Sequence, residues 1–425
     1  MLKVEHNNNN LLSHICRIDN HPVKDLPVSI KQRYLTGLAA ILYTISNGNA
    51  TMKTLFTQWA YSITGQDSSN LFSQQTDDCV KKALSINRIG FRFFRCKHEF
   101  FFDCFYLTES FDKGLLPKLG EYLTLIGKNI FTKESLKRTI DYFNGSCDKN
   151  ALKVPECLQK HRLLNISFKQ QKQKRVLVVA NVSAGKSTLI NALSGHRFNN
   201  VRTTACTSRL CEIYNKPVED GFTYLQSNHL QFDPHIDMHT SDDACQVGIH
   251  FKSTLGKTNI CLIDTPGVNN STDTSHWKIT TSAINSGAYD IVLFISNGKY
   301  NGTIDERKIL EHIYKNCKKP VLFVLNQLDT FKRSVDNIDE MIQDYTNEIK
   351  AIGFKNPQVY PVSAIYAFML RHSSDLDEDE LDELDLIKKR FTKDYYNLPK
   401  YVGLESTSDI ERTGFIYLEK GIIKQ

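Results

Sequence analysis

The chain has little of what would send it to a membrane, an oxidising compartment or a structural metal. Its start, MLKVEHNNNNLLSH, has no basic lead followed by a long apolar core, so no signal peptide is expected. The longest apolar run, Leu35 to Ile45, is broken by Thr36, Gly37 and Thr44 and is too short to span a bilayer. Eleven cysteines include no CxxC pair, and an odd, scattered set points to free thiols in a reducing cytoplasm. Cys206 with Cys211, and Cys96 with His98 and Cys104, lack finger or ribbon spacing and read as thiols rather than zinc ligands. Charge of one sign is scarce too. Fifty-three Lys and Arg against 47 Asp and Glu leave a formal +6, a mild excess that is compatible with an acidic surface partner without requiring one. What remains is an ordinary globular composition over 425 residues, enough for two or three domains.

The organising stretch is Arg175 to Gly195, RVLVVANVSAGKSTLINALSG. Five apolar positions lead into a small-residue turn, then GKST, then an amphipathic run: strand, loop, helix. This layout lets consecutive backbone N–H groups curl around a phosphate while the helix N-terminus adds its partial positive charge. Gly185 permits close approach, Lys186 supplies a cation for β- and γ-phosphates, and the Ser187 hydroxyl is placed for Mg²⁺. Asn181, Ser183, Ala184 and Thr188 complete the cradle. Ala180 stands where the usual pattern has its first glycine, a mild departure.

Before this stretch, apolar positions recur at three- and four-residue steps from about Ile30 to Phe143, as in YLTGLAAILYTI and LLPKLGEYLTLIGKNIF. An all-α domain is expected over residues 1–150, behind a polar Asn7–Asn10 tract. Its aromatic run from Phe91 to Leu107 reads as core, with a partner or lipid surface as the alternative. Residues 151–174, rich in Lys and Gln toward their end, are expected to be a linker.

Residues 175–425 alternate short, nearly all-apolar strands with helix-length periodic segments. That pattern predicts an α/β domain with a mostly parallel sheet covered by helices on both faces. SRLCEIYN is expected as an edge strand, and Gln246–Phe251 with Asn259–Ile263 as a hairpin around STLGK. Ligands of such sheets sit at the carboxyl ends of strands. Asn326-Gln327-Leu328-Asp329 follows the strand VLFVL, and a carboxylate there can accept both N1–H and the exocyclic amino group of guanine, a donor pair adenine lacks. Gln327 replaces the lysine usual in such an element. Ser363 and Ala364 end the next strand, where the Ala364 N–H can meet the base oxygen. Asp264 in DTPG can hold Mg²⁺ through water, and the Gly267 N–H can contact the γ-phosphate. Thr207, 21 residues beyond Lys186, is the candidate second metal ligand and water-positioning residue, with Thr203 and Thr204 as competitors.

Together SAGKSTLINAL, ACTS, DTPG, YDIVLFISNGKYNGTIDE and NQLD resemble the GTPase domain of the dynamin superfamily, particularly bacterial dynamin-like proteins, over about Arg175 to Lys420. The resemblance implies that Ser183 helps bind a monovalent cation, K⁺ or Na⁺, which substitutes for an arginine finger. It further implies GTP and GDP as ligands and nucleotide-dependent dimerisation across the active-site face. Val182 stands where that family carries a polar, water-orienting residue. The chain stops soon after TGFIYLEKGIIKQ with no evident helical stalk, so membrane remodelling is not carried over, although contact with a membrane surface stays open. A ribosome-associated GTPase of the Era type is the second reading. It is set back by the lack of an appended basic module, so no nucleic acid is favoured. A nucleotide-gated module with little turnover is the third. The stretch Tyr214–Ala244, with His229, His235 and His239, reads as a solvated insertion, and Asp375–Asp385 as an exposed helix face.

Overall fold

In the first part of the chain the three- and four-residue spacing folds as helices α1 (Val28–Ser46), α2 (Ala50–Thr64), α3 (Lys97–Phe111), α4 (Leu116–Ile126), α5 (Lys133–Phe143) and α6 (Glu156–Gln170). The computed structural model describes residues 11–74, 96–126, 133–145, 154–197, 210–226, 230–233, 246–267, 274–299 and 302–425. The Asn49 side chain accepts the Thr51 N–H to start α2, and Gly65 ends it in the left-handed region. Phe100, Phe101, Phe102 and Phe105 of α3 are fully buried with Trp59 and Tyr34. Each buried aromatic contributes roughly 1.5–3 kcal/mol of transfer free energy, so the described part of the aromatic run is core. Phe91–Arg95 lie outside the described residues.

Most of the span expected as a linker is helical. Glu156–Gln170 is a helix whose Leu158, His161, Arg162, Asn165 and Phe168 are buried. Asn165 Oδ1 accepts the Ile15 N–H at 3.0 Å, a bond across 150 residues of sequence. The Lys- and Gln-rich composition hid a face with helical spacing. Contacts divide the chain into two units, residues 1–170 with 228–232, and residues 171–227 with 233–425.

Among the described residues the sheet has nine strands: β1 (Lys174–Ala180), β2 (Cys211–Asn215), β3 (Thr223–Gln226), β4 (Leu230–Asp233), β5 (Gln246–Ile249), β6 (Ile260–Asp264), β7 (Ile291–Asn297), β8 (Val321–Asn326) and β9 (Gln358–Pro361). Their order is β4-β3-β5-β2-β6-β1-β7-β8-β9. β1 runs parallel to β6 and β7, β7 to β8, and β8 to β9, so these strands open their carboxyl ends on one side. Val176 to Ala180 and Ile291 to Ile295 are buried without interruption, as strands covered on both faces require.

Two sheet expectations are corrected. β2 is internal, parallel to β5 (Ile213↔Val247) and antiparallel to β6 (Ile213↔Leu262). Its Glu212 pairs with Arg175 and accepts from Tyr214 Oη at 2.5 Å and Gln246 Nε2 at 2.7 Å. β5 and β6 therefore form no hairpin, and STLGK supplies a 3-10 turn, Thr254–Lys257. Nor is Tyr214–Ala244 wholly a solvated insertion, since β3 and β4 join the sheet and Tyr224 is fully buried. His229, His235 and His239 lie outside the described residues.

Helices α7 (Lys186–Ser194), α8 (Thr274–Ser286), α9 (Ile304–Asn316), α10 (Ile338–Ile352), α11 (Ala364–Arg371), α12 (Glu378–Phe391), α13 (Asp409–Arg412) and α14 (Phe415–Lys424) complete the second unit. The acidic run opens α12 with a capping box between Asp377 and Glu380, where carboxylates complement the helix N-terminus. Among the described residues no helix is long and apolar enough to cross a membrane.

Candidate nucleotide-binding site

β1 delivers the chain into Asn181–Gly185 and α7 leaves it at Lys186. Between them Ser183 and Gly185 both adopt positive φ, +64° and +81°, a pairing of the kind found in anion-binding nests, and the Val182 and Ala184 N–H groups donate to Asn181 Oδ1 at 2.9 Å and the Asn181 carbonyl at 3.3 Å. Gly185 is required twice over: its φ is left-handed, and a Cβ would stand 2.5 Å from Asn326 Nδ2. Lys186 is 8 % exposed and pairs through Nζ with Asp264 Oδ1, itself 3 % exposed at the end of β6. Ser187 and Thr188 follow, half-buried, in the first turn of α7. A buried ammonium and carboxylate are costly apart and are held together here. The next residue, Thr265, ties the Asp264 loop to β1 through its Oγ1 bond to the Val178 carbonyl, 2.8 Å. Gly267 lies beside the cradle, since a Cβ on it would meet Val182 Cγ2 at 3.4 Å.

Asn326 ends β8 and bridges two loops. Its Nδ2 donates to the Ala184 carbonyl and its Oδ1 accepts the Ala364 N–H, both at 3.0 Å. The N–H expected to meet a base oxygen is therefore already engaged by Asn326. Gln327 follows at φ +66°, and its Nε2 donates to the Ser183 carbonyl at 2.9 Å. A glutamine in place of lysine thus fastens the base-side loop to the cradle. Ser183 and Gln327 are two of the four described non-glycine residues with positive φ, and such strain collects where surrounding contacts over-determine it.

Asp329 is 6 % exposed in the turn after β8 and accepts from Ser363 Oγ at 2.8 Å. Ser363 in turn caps α11 by accepting the Tyr366 N–H. Burial holds the Asp329 carboxyl above its usual range, an effect that the Ser363 hydrogen bond partly offsets.

The predicted residues within the described part, Asn181, Ser183 to Thr188, Asp264, Gly267, Asn326, Gln327, Asp329, Ser363 and Ala364, fall at the carboxyl ends of β1, β6, β8 and β9 or in the loops and helix starts that follow. Thr207, Thr203 and Thr204 lie outside the described residues. Sequence reasoning missed Asn297 and Thr303. Asn297 Nδ2 donates to Gln327 Oε1 at 2.8 Å, and Thr303 Oγ1 accepts from Asn181 Nδ2 at 3.2 Å while capping α9. The signal available for Asn297 was a polar residue closing a strand that is apolar from Ile291 to Ile295.

A strand–nest–helix phosphate cradle, an acidic strand end beside its lysine and a buried carboxylate beyond a bridging asparagine define a P-loop domain of the GTPase type. Residues 176–328, somewhat over a third of the chain, match the sequence model of the Dynamin family, which supports a dynamin-superfamily GTPase domain over that stretch. It is 27% identical over 218 residues to an uncharacterized protein in the xynA 3' region of Caldicellulosiruptor sp. (strain Rt8B.4), covering 47% of this chain and 51% of that one. It is 23% identical over 195 residues to a bacterial dynamin-like protein of Nostoc punctiforme, covering 40% of this chain and 28% of the relative. The matches thus take in about half and under a third of those proteins. Among solved structures, Era of Aquifex aeolicus bound to GDP·AlF4⁻ aligns with TM-score 0.29 and 17% identity over 51% of this chain and 57% of that one.

Proposed function

We propose that the protein binds GTP and GDP and hydrolyses GTP with Mg²⁺, by attack of water on the γ-phosphate without a side-chain nucleophile. The observation that carries this reading is the joining, through Asn326, of a lysine-bearing phosphate nest to a buried base-side carboxylate. Asp329 selects guanine by accepting its two adjacent donors, with Ser363 fixing the orientation of the carboxylate. Lys186 and the nest amides hold the β- and γ-phosphates, so that positioning and charge neutralisation lower the barrier.

The residues suit magnesium. The Ser187 hydroxyl and the Asp264 carboxylate are hard oxygen donors, and Mg²⁺ takes few protein ligands and keeps waters and phosphate oxygens. When bound it supplies charge neutralisation on the phosphate oxygens. Among the described residues no group of three or more His, Cys, Asp or Glu builds a protein-only cage. Thr207 is proposed as the switch residue that completes the site and positions water. Ser183 is proposed as part of a K⁺ or Na⁺ site. Nucleotide-dependent dimerisation over this face is proposed with it, and equal sedimentation of the apo and transition-state-analogue forms would count against that. A cytoplasmic location is likewise proposed, with docking at a membrane surface left to vesicle sedimentation.

The test is calorimetry with magnesium. GTP and GDP give binding heats and ATP does not; equal ATP binding, or no heat with guanine nucleotides, overturns the reading. A second reading, a nucleotide-gated module with slow turnover, draws on Val182, an apolar residue 49% exposed at the lip of the cradle that can orient no water. Single-turnover phosphate release with and without K⁺ separates the two.

A further inference from the structure

The helical unit contains a cleft of about 460 Å³ that the nucleotide chemistry does not use. Three cations line it, Lys113 after α3 and Arg162 and Lys169 on α6, against one carboxylate, Glu109 of α3. Arg162 is the built element. It is 7 % exposed, and its Nε and Nη2 grip the two Glu109 oxygens at 2.7 Å each. Its guanidinium lies 4.4 Å from the Phe143 ring centroid and 4.8 Å from that of Tyr142. Nη2 also donates to the Phe143 carbonyl at 3.5 Å. Lys113 and Lys169 form no ion pair among the described residues. His14, which also lines the cleft, is buried and held neutral, first by desolvation and then by Lys169 and His161. Burial lowers the Lys169 ammonium, and an anion brought beside it opposes that shift.

We propose that this cleft binds a small organic phosphate monoester, its dianion held by Lys113, Lys169 and Arg162 and its apolar part lying along Phe143 and Ile166. The surplus of two positive charges matches a phosphate monoester, which carries about −1.5 to −2 at pH 7, better than a single carboxylate. The cleft falls within the roughly 300–1,000 Å³ of small-molecule sites. Arg162 remains locked on Glu109, so it presents a fixed donor rather than a floppy one, which suits a phosphate oxygen. The inference rests on the helical unit alone and does not depend on the nucleotide reading.

The experiment titrates phenyl phosphate into the full chain and into the Lys113→Gln/Lys169→Gln double variant, whose changes fall on exposed and half-buried side chains. Loss of at least about tenfold in affinity in the double variant is expected, since two charge-assisted contacts to the phosphate are removed. Heat that survives unchanged in the double variant arises elsewhere, for instance at the Lys186 cradle, and overturns the assignment, as does no heat with the unaltered chain. A parallel arm sediments the protein with phosphatidylcholine vesicles containing phosphatidic acid. Co-sedimentation that phenyl phosphate reverses makes the phosphate a lipid headgroup, and phenyl phosphate binding without co-sedimentation makes it a soluble metabolite. Both results uphold the site.

Discussion

Gly185→Ala tests the logic of the cradle most directly. The new methyl group meets two obstacles: a φ of +81°, and Asn326 Nδ2 only 2.5 Å from the Cβ position. The left-handed backbone costs about 1–2 kcal/mol for a non-glycine residue. The contact forces the Asn326 amide aside, which strands the buried Ala184 carbonyl and Ala364 N–H that it now joins at 3.0 Å each. Each stranded group costs about 1–3 kcal/mol, so the substitution as a whole costs about 3–8 kcal/mol. For a unit of this size 1 kcal/mol lowers the melting midpoint by about 2–4 °C, so a fall of order 10 °C is expected by calorimetry. Asn326→Ala alone strands the same two groups without strain and is expected to cost about 2–6 kcal/mol. In that background Gly185→Ala meets no amide and costs only its backbone strain. The two substitutions should therefore couple by several kcal/mol in a double-mutant cycle. Costs that add to within about 0.5 kcal/mol would refute the account of Gly185 as the residue that makes room for the bridge.

Lys186→Ala should abolish measurable GTP and GDP heats in calorimetry and also lower the melting midpoint, because removing one partner of a buried pair costs about 3–5 kcal/mol and Asp264 is 3 % exposed. Asp329→Asn should reduce the preference for GTP over xanthosine triphosphate, read as a ratio of affinities; an unchanged ratio means that Asp329 does not read the base. Because burial raises the Asp329 carboxyl, the folded chain holds that proton more tightly than the unfolded chain does. Its contribution to stability thus falls as pH rises through the window between the ordinary and raised values, while GTP affinity weakens as pH falls through the same window. Glu306, at the start of α9, is pushed up to about 7 by burial, with Glu348 adding to the rise and the Ser296 hydroxyl opposing it. Its cost grows from the ordinary carboxylate range up to pH 7, reaching roughly 3 kcal/mol. Glu306→Gln should accordingly gain on the wild type in urea unfolding at pH 8, by an amount that shrinks toward pH 5; a pH-independent difference refutes the assignment. Val182→Gln should raise the single-turnover rate of phosphate release without tightening GTP binding, and an unchanged rate would remove Val182 as the brake.

The amino-acid sequence by itself determined the class of this protein, because the chemistry of its site is written in short local strings. A phosphate nest needs one strand, one turn and one helix start, and Arg175 to Gly195 contains all three within twenty-one residues. Asp264, Asn326 and Asp329 were legible for the same reason: each is a polar residue closing or following an apolar strand. The helical first unit was equally visible in its apolar spacing. Long-range pairing was not. β2 lies between β5 and β6 rather than at an edge, and its Glu212 pairs there with Arg175, 37 residues away. The helix that read as a linker is held by Ile15 and Glu109, which its own composition cannot announce. Tertiary structure alone also showed that Gln327 clasps Ser183 rather than merely replacing a lysine, and that Asn297 and Thr303 brace the cradle. Local strings carry the covalent chemistry and the backbone angles, whereas hydrogen bonds between distant side chains exist only once folding has brought their donors and acceptors within about 3 Å.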